Sequence, residues 1–291
     1  MYQEDRRGSL KSVILGVLVA ALMGCAALGM TIRFVNIPSG TMDSDIVEFQ
    51  PILDFVEGYV QDAGFDVEIE AIVVMDYSAA IQAMLHGHAE MCRFGPAQYV
   101  LLQRESDGGV VPLARDVKGK TGLPFYNTMI IARADSEIPG ICSCLVNDLT
   151  IAFVDETSTS GYLVPQVTLG KLGLSQDDFA EIYFAGSHEA SIIAVWEGHV
   201  DIACTNEYRY GLAIDSGTIV ESEMSVLAVS DPIPTNPIVV SDSLDPDLIA
   251  ALQDAWLAVP NEVAAGFGLA GFAPVIDADY NPIRDLEALQ E

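Results

Sequence analysis

Two stretches of this chain carry nearly the same pattern, and together they restrict its fold more than any other feature. VEIEAIVVMDYSAAIQAMLHGHAEMC (67–92) and EIYFAGSHEASIIAVWEGHVDIAC (181–204) align at an offset of 111 residues. Ala79, Ile81, Ala83, Gly87 and His88 recur as Ala190, Ile192, Ala194, Gly198 and His199, and Glu90 recurs as Asp201. Each copy reads as strand, loop, amphipathic helix, Gly-His, strand. The glycine suits the position just past a helix, which needs positive φ. His88 and His199 are then expected just beyond a helix end, meeting its carbonyls. Strand-like and helix-like segments alternate through the rest of the chain, which is the pattern of an α/β protein. Two lobes with equivalent βαβ units follow from the repeat.

Length and charge narrow the function. The 291 residues are enough for two modest lobes, each with its own core. A hydrophobic content of 51% with 19% charged residues describes a folded chain. The 42 acidic residues outnumber 13 basic ones, for a formal net charge of −29. Nucleic-acid binding is excluded, because it needs basic stripes that displace counterions. Docking on anionic lipid head groups is disfavoured for the same reason, and a solvated acidic surface remains.

The N-terminus reads as an export segment. Arg6, Arg7 and Lys11 form a basic region ahead of a short apolar run, residues 13–22. About ten apolar residues are too few to span a bilayer, so a signal peptide is expected over 1–25. Leu22-Met23-Gly24-Cys25 resembles a lipobox, in which Cys25 would be lipidated. Arg6-Arg7 followed by Leu10-Lys11 also resembles a twin-arginine signal, with Ser9 where a bulky apolar residue is usual. Four other cysteines remain. Cys92 and Cys204 sit in strand-like runs and are expected as buried small hydrophobes. Cys142 and Cys144 form a C-x-C pair without a nearby histidine or a second pair, so no metal site is expected.

The run VDETSTSGYLVP (154–165) follows the strand-like LTIAFV. A strand over 150–154 and a helix from near Ser160 toward Leu172 would put Ser158, Thr159 and Ser160 in the turn between them. Helix N-termini offer unpaired N–H groups and a partial positive charge, which suit an oxyanion. A single helix cap would explain one hydroxyl but not three. Pro165 falls early in that helix, where a missing N–H matters least. Because the Debye length is only about 8 Å at physiological salt, an acidic protein can still hold an anion with short-range neutral donors. The expectation is an anion site built without Lys or Arg. Tyr77 and His188 occupy matching places in the two repeats, just before each helix. Ligands gather at such carboxyl ends of strands in open α/β sheets, although a tyrosine there can equally be a packing residue.

These segments resemble the periplasmic phosphonate- and phosphite-binding proteins of ABC importers. The resemblance covers about 33–286 and is carried by DYSAAIQAMLHGHAEMCRFGP (76–96), PFYNTMIIAR (124–133), STSGYLVP (158–165), AGSHEASIIAV (185–195), DPIPTNPIVV (231–240) and GFAPVIDADYNPIRDL (271–286). It implies a two-lobed, hinged, type II periplasmic-binding fold with residues 31–127 plus 237–291 in one lobe and 128–236 in the other. The chain would cross between lobes near 128–130 and 236–239. In the family a Ser-Thr-Ser helix start, two tyrosines and a histidine hold the phosphonate oxygens. Those roles would fall to Ser158, Thr159, Ser160, Tyr77, Tyr126 and His188, with Asn206, Tyr208 and Asn236 completing the candidate ligand-binding set. Capture would occur by hinge closure, and a membrane permease would recognise the closed form. The implied protein is an exported monomer, periplasmic or lipid-anchored, needing no cofactor.

One departure from the family pattern bears on the ligand. Members that bind aminoethylphosphonate read its ammonium with two carboxylates, at positions matched here by Tyr208 (or Glu207, with the loop shifted by one residue) and Asn236. An unpaired ammonium in a closed cleft is costly. Phosphite, methylphosphonate or a related small phosphorus oxyanion is therefore expected. Two other outputs are conceivable. One is a ligand sensor of the same fold feeding a kinase or chemoreceptor, with Cys92 or Cys204 near the cleft making arsenite a candidate ligand. The other is a serine hydrolase using Ser158 or Ser160 with His188 and an acid such as Asp201. The Gly-x-Ser-x-Gly elbow is missing, which argues against the hydrolase.

Overall fold

The computed structural model describes residues 29–37, 42–74, 76–136, 138, 140–141 and 146–289. The expected export segment with Cys25, and the pair Cys142 and Cys144, lie outside them. The described chain begins with β1 (Met30–Asn36), α1 (Met42–Asp62), β2 (Val67–Ile72), α2 (Tyr77–Leu85), β3 (Met91–Arg93), α3 (Pro96–Glu105) and β4 (Val110–Lys118). A short strand, β5 (Phe125–Tyr126), leads to β6 (Thr128–Arg133) and β7 (Thr150–Phe153). Next come a wide π-turn (Thr159–Leu163), α4 (Val164–Lys171), β8 (Glu181–Phe184), α5 (His188–Trp196), β9 (Ile202–Asn206), α6 (Glu207–Asp215) and β10 (Met224–Val229). The chain returns through β11 (Ile233–Pro234) to β12 (Pro237–Ser241), α7 (Pro246–Leu257), α8 (Asn261–Ala264), β13 (Leu269–Ala273) and α9 (Asn281–Glu287).

Two larger sheets result, with strand orders β13-β4-β12-β3-β1-β2 and β10-β6-β9-β7-β8. In the first, β2–α2–β3 crosses over the parallel strand β1; in the second, β8–α5–β9 crosses over the parallel strand β7. Each unit then meets an antiparallel neighbour, β12 beside β3 and β6 beside β9. The sequence repeat is therefore a repeat of topology. Even its ends match: the Asp76 side chain accepts the Ala79 N–H at the start of α2, and Ser187 accepts the Ala190 N–H at the start of α5. Both helices stop at a left-handed glycine, Gly87 (φ 66°) and Gly198 (φ 75°), a conformation that strains residues with a Cβ. The backbone N–H groups of His88 and His199 then bond back to Ala83 and Ala194 at 2.7 and 2.8 Å. At these two positions it is the backbone that meets the helix carbonyls.

A small ribbon joins the sheets. β5 and β11 pair antiparallel, Tyr126 opposite Ile233 and Phe125 opposite Pro234. The Thr235 hydroxyl donates to the Asp116 carbonyl at 2.6 Å, fastening the return segment to the end of β4. The joining segments are 119–127 and 230–236, so 128–130 and 236–239 fall on or beside the first residues of β6 and β12.

Burial follows the elements. Phe49, Ile52, Leu53, Val56 and Val60 make one buried face of α1 at helical spacing, packed on the first sheet. The edge strand β2 alternates, with Glu68 and Glu70 outward, whereas the central β3 and β9 are buried throughout. A further core contains side chains from α2 and α3 together with Val154, Leu163 and Val164, so elements of the two sheets share one apolar cluster. Cys92 and Cys204 are buried in β3 and β9 as free thiols.

Candidate functional site

The hydroxyl run sits at the carboxyl end of β7, as read from the sequence, but its local structure is wider than an α-helix start. The carbonyl of Ser158 accepts from both Tyr162 and Leu163, and the π-turn passes into α4 with Pro165 in its first turn. Such turns recur at functional sites. Gly161 makes this one possible: a Cβ there would lie 2.3 Å from Val154 Cγ2, at the end of the preceding strand. The Ser158 hydroxyl accepts the Gly161 N–H at 3.2 Å, and Ser158, Thr159 and Ser160 are all buried.

The other residues on this side come from helix starts that the repeat places at the same end of the sheet. His188 opens α5; its Nε2 lies 3.3 Å from the Ser160 hydroxyl and its Nδ1 3.3 Å from that of Thr205. Asn206 ends β9, caps α6 by accepting the Arg209 N–H, and directs its amide at Ser160 Oγ, 3.4 Å away. The Thr128 hydroxyl donates to the Ser160 carbonyl and so anchors the turn to β6.

Tyr77, Tyr126 and the start of α3 form the facing wall. Tyr77 is hydrogen-bonded to Ser158, and Tyr126 to Ser160. Burial pushes the Tyr77 phenol well up and that of Tyr126 up to about 12, so both remain protonated donors. The Ala97 N–H, in the first turn of α3, donates to the Thr159 hydroxyl at 2.7 Å. Gln98 is fully buried on this wall, and neither of its amide atoms has a hydrogen-bond partner among the described residues. Tyr77, Tyr126 and Gln98 line one cavity of about 40 Å3 between the sheets, together with Ser158, Thr159, Ser160, His188 and Asn206.

A third wall departs from the neutral site expected from the sequence. Arg93, Lys118 and Arg209 all line the cavity. Arg93 presents Nε at 3.2 Å to both carboxylate oxygens of the buried Asp116, with a further bond from Nη2. Lys118, one strand residue beyond Val117 and two from Asp116, reaches the same carboxylate only at 3.8 Å. The overall charge of −29 thus conceals a local cationic wall. Asn236 and Tyr208 also line the cavity, but the Tyr208 hydroxyl donates to the Phe267 carbonyl at 2.8 Å and the residue offers its ring.

Residues 37–280 match the family model for the periplasmic substrate-binding protein of phosphonate ABC transporters. The chain belongs to this family. Among relatives of this phosphonate-family binding protein, the "Phosphate-import protein PhnD" of Mycolicibacterium smegmatis is 27% identical over 277 residues, covering 87% of this chain and 84% of its own. The "Phosphonates-binding periplasmic protein" of Escherichia coli is 29% identical over 233 residues, covering 77% and 68%. The fold is that of solved members. A phosphonate-transporter binding protein from Pseudomonas aeruginosa superposes with a TM-score of 0.79 at 24% identity, covering 90% of this chain and 86% of that one. PhnD1 from Prochlorococcus marinus, solved with methylphosphonate, gives 0.78 at 17% identity, covering 89% and 98%.

Every candidate ligand residue of this phosphonate-family protein, from Tyr77 to Asn236, lines the one cavity. Glu207 does not; its carboxylate accepts the Asn127 N–H at 3.3 Å, which leaves Tyr208 as the residue facing the cleft. No Asp or Glu is among the described lining residues, and neither is Cys92 or Cys204. Burial pushes both thiols up, far from the thiolate form that binds soft ligands. Asp201 is turned away from His188, accepting the N–H and hydroxyl of Thr150 at 2.8 Å each. Sequence reasoning missed Gln98 and the three cations. The basic residues were visible only as isolated Arg and Lys codes on separate elements.

Proposed function

We propose that this protein is the capture component of an ABC importer, holding a small tetrahedral phosphorus oxyanion between two lobes that close on it. One observation carries the reading: three consecutive hydroxyls at a helix start, a histidine and two protonated tyrosines meet on a single small cavity between the sheets. Helix-start N–H groups and neutral hydroxyls are donors, and the ligand they suit is an oxyanion. The lobes, 31–127 with 237–291 and 128–236, would move about the β5/β11 ribbon.

The cavity volume favours a compact ligand. Since about 10–15 Å3 accommodates one water, about 40 Å3 is room for an oxyanion with at most a short substituent. Ile37, Phe267 and the Tyr208 ring provide apolar surface for a hydrogen or methyl on phosphorus, which supports phosphite or methylphosphonate. No described carboxylate lines the cavity to receive an ammonium, which disfavours aminoalkyl phosphonates. Binding without turnover is part of the proposal. A serine hydrolase needs a carboxylate behind its histidine, and the candidate acid, Asp201, accepts instead the N–H and hydroxyl of Thr150. Export by the N-terminal segment, tethering through Cys25, a monomeric state and delivery to a membrane permease complete it.

Calorimetric titration with phosphite, methylphosphonate, phosphate and aminoethylphosphonate tests this. Tight binding of phosphite or methylphosphonate, with aminoethylphosphonate the weakest, is expected. Tight aminoethylphosphonate binding, or no response to any of the four, contradicts it.

A further inference from the structure

Lys118 is the last residue of β4, and its side chain is only 9% exposed. An ammonium has three N–H donors, and a buried one is stable only where they are received. Here they are not. The Asp116 carboxylate is taken by the Arg93 fork, and Lys118 Nζ stands 3.8 Å from it, beyond hydrogen-bond length. Two ring faces also lie near Nζ, Tyr126 at 5.0 Å and Tyr208 at 5.1 Å, which attract the charge without accepting a full hydrogen bond. Among the described residues Nζ makes no hydrogen bond, and Lys118 lines the cavity.

We propose that Lys118 is a ligand-binding residue whose ammonium faces the captured anion, so that anion binding and the holding of a proton on Lys118 are coupled. The inference rests on the proposed oxyanion capture and adds the positive charge that the hydroxyl donors lack. It also makes the site select for negative charge on the side of the ligand that faces β4.

The charged and titratable groups around Nζ are Asp116 on its own strand, Arg93 on β3, Glu207 and Arg209 on α6, and the phenols of Tyr126 and Tyr208. Burial, aided by Arg93 and Arg209 and opposed by Asp116 and Glu207, brings the Lys118 ammonium down to about 8. An anion at bonding distance favours the charged form and raises it again. The sign follows. The contribution of Lys118 to binding is complete below the pKa of the free protein, about 8, and is lost as pH rises through the higher value in the complex. Between the two values each binding event takes up a proton.

The test is calorimetric titration of phosphite and methylphosphonate into the protein from pH 7 to 9.5, in buffers of different ionisation heat. Above pH 8 the natural protein is expected to take up close to one proton per anion and to lose affinity about tenfold per pH unit. Lys118→Met should bind at least about tenfold more weakly at pH 7 and show no such uptake. It retains the ligand's own titration, so the difference isolates Lys118. Lys118→Arg, which stays charged throughout, should bind at pH 9 without the alkaline decline. Proton uptake by the natural protein is read without any variant, so a poorly folding variant does not blunt the test. Tight binding with no uptake above pH 8, or with the same uptake in Lys118→Met, overturns the role of Lys118 and leaves oxyanion capture standing. Absence of binding by either anion at pH 7 overturns both.

Discussion

The backbone N–H of Ala97 donates to the side-chain hydroxyl of Thr159 at 2.7 Å, across the cleft and out of water. This bond links the first turn of α3, packed on the first sheet, to the π-turn of the second. In the proposed capture, the hydroxyl would give its own proton to the anion. Thr159→Val should leave the Ala97 N–H buried and unpaired in the closed form, a penalty of about 1–3 kcal/mol. Phosphite affinity should then fall about 5- to 150-fold, while Thr159→Ser stays close to the natural protein. Calorimetry checks both, and small-angle scattering should find the valine variant more open at equal ligand concentration.

Tyr126 and Ser158 are neutral donors that hydroxyl removal tests one at a time. Tyr126→Phe and Ser158→Ala should each weaken phosphite binding by about 0.5–1.5 kcal/mol, more if the lost donor meets a full anionic charge. Ser158→Ala also removes the cap on the Gly161 N–H and should lower the melting temperature by a few degrees. Full affinity in both variants would count against the site.

Gln98 buries an amide with no partner for either atom among the described residues. Replacing such a group by an apolar one of similar size is near neutral or stabilising. Gln98→Leu is therefore expected to preserve or raise the stability of the ligand-free protein in urea denaturation, yet to bind phosphite more weakly. Opposite signs in the two assays mark a residue kept for its ligand. Loss of stability with unchanged affinity marks a packing residue.

Arg93 and Asp116 form a buried pair whose loss acts on the fold itself. Asp116→Asn leaves the guanidinium without its counter-charge and should destabilise the protein by about 3–5 kcal/mol, read from the urea midpoint. A change below about 1 kcal/mol would show that the pair contributes little to the native state.

How legible was this in the sequence? The offset repeat already carried the topology, because Gly87 and Gly198 punctuate two helices of equal length and the strands around them pair in the same order. It also placed Tyr77 and His188 at equivalent helix starts, and the hydroxyl trio was readable because its members are contiguous. The cationic wall was not readable. Arg93, Lys118 and Arg209 come from β3, β4 and α6, and only the pairing of strands and the seating of α6 bring them together. The reading of an anion site built without Lys or Arg left these three out for that reason: net charge reports the whole surface, whereas a cleft reports its few walls. The hydroxyl direction of Tyr208 was equally hidden, since it depends on the Phe267 carbonyl 59 residues away.

The proposed capture places one phosphorus oxyanion between the hydroxyl turn and the two tyrosines. A crystal structure of the protein grown with methylphosphonate tests it most directly. Phosphorus density is expected in the cavity, with phosphonate oxygens within about 3 Å of Ser160, Thr159, Tyr77 and Tyr126 hydroxyls and of His188. Methylphosphonate bound elsewhere, or a closed cleft holding the ligand without contact to Ser158, Thr159 or Ser160, would contradict it.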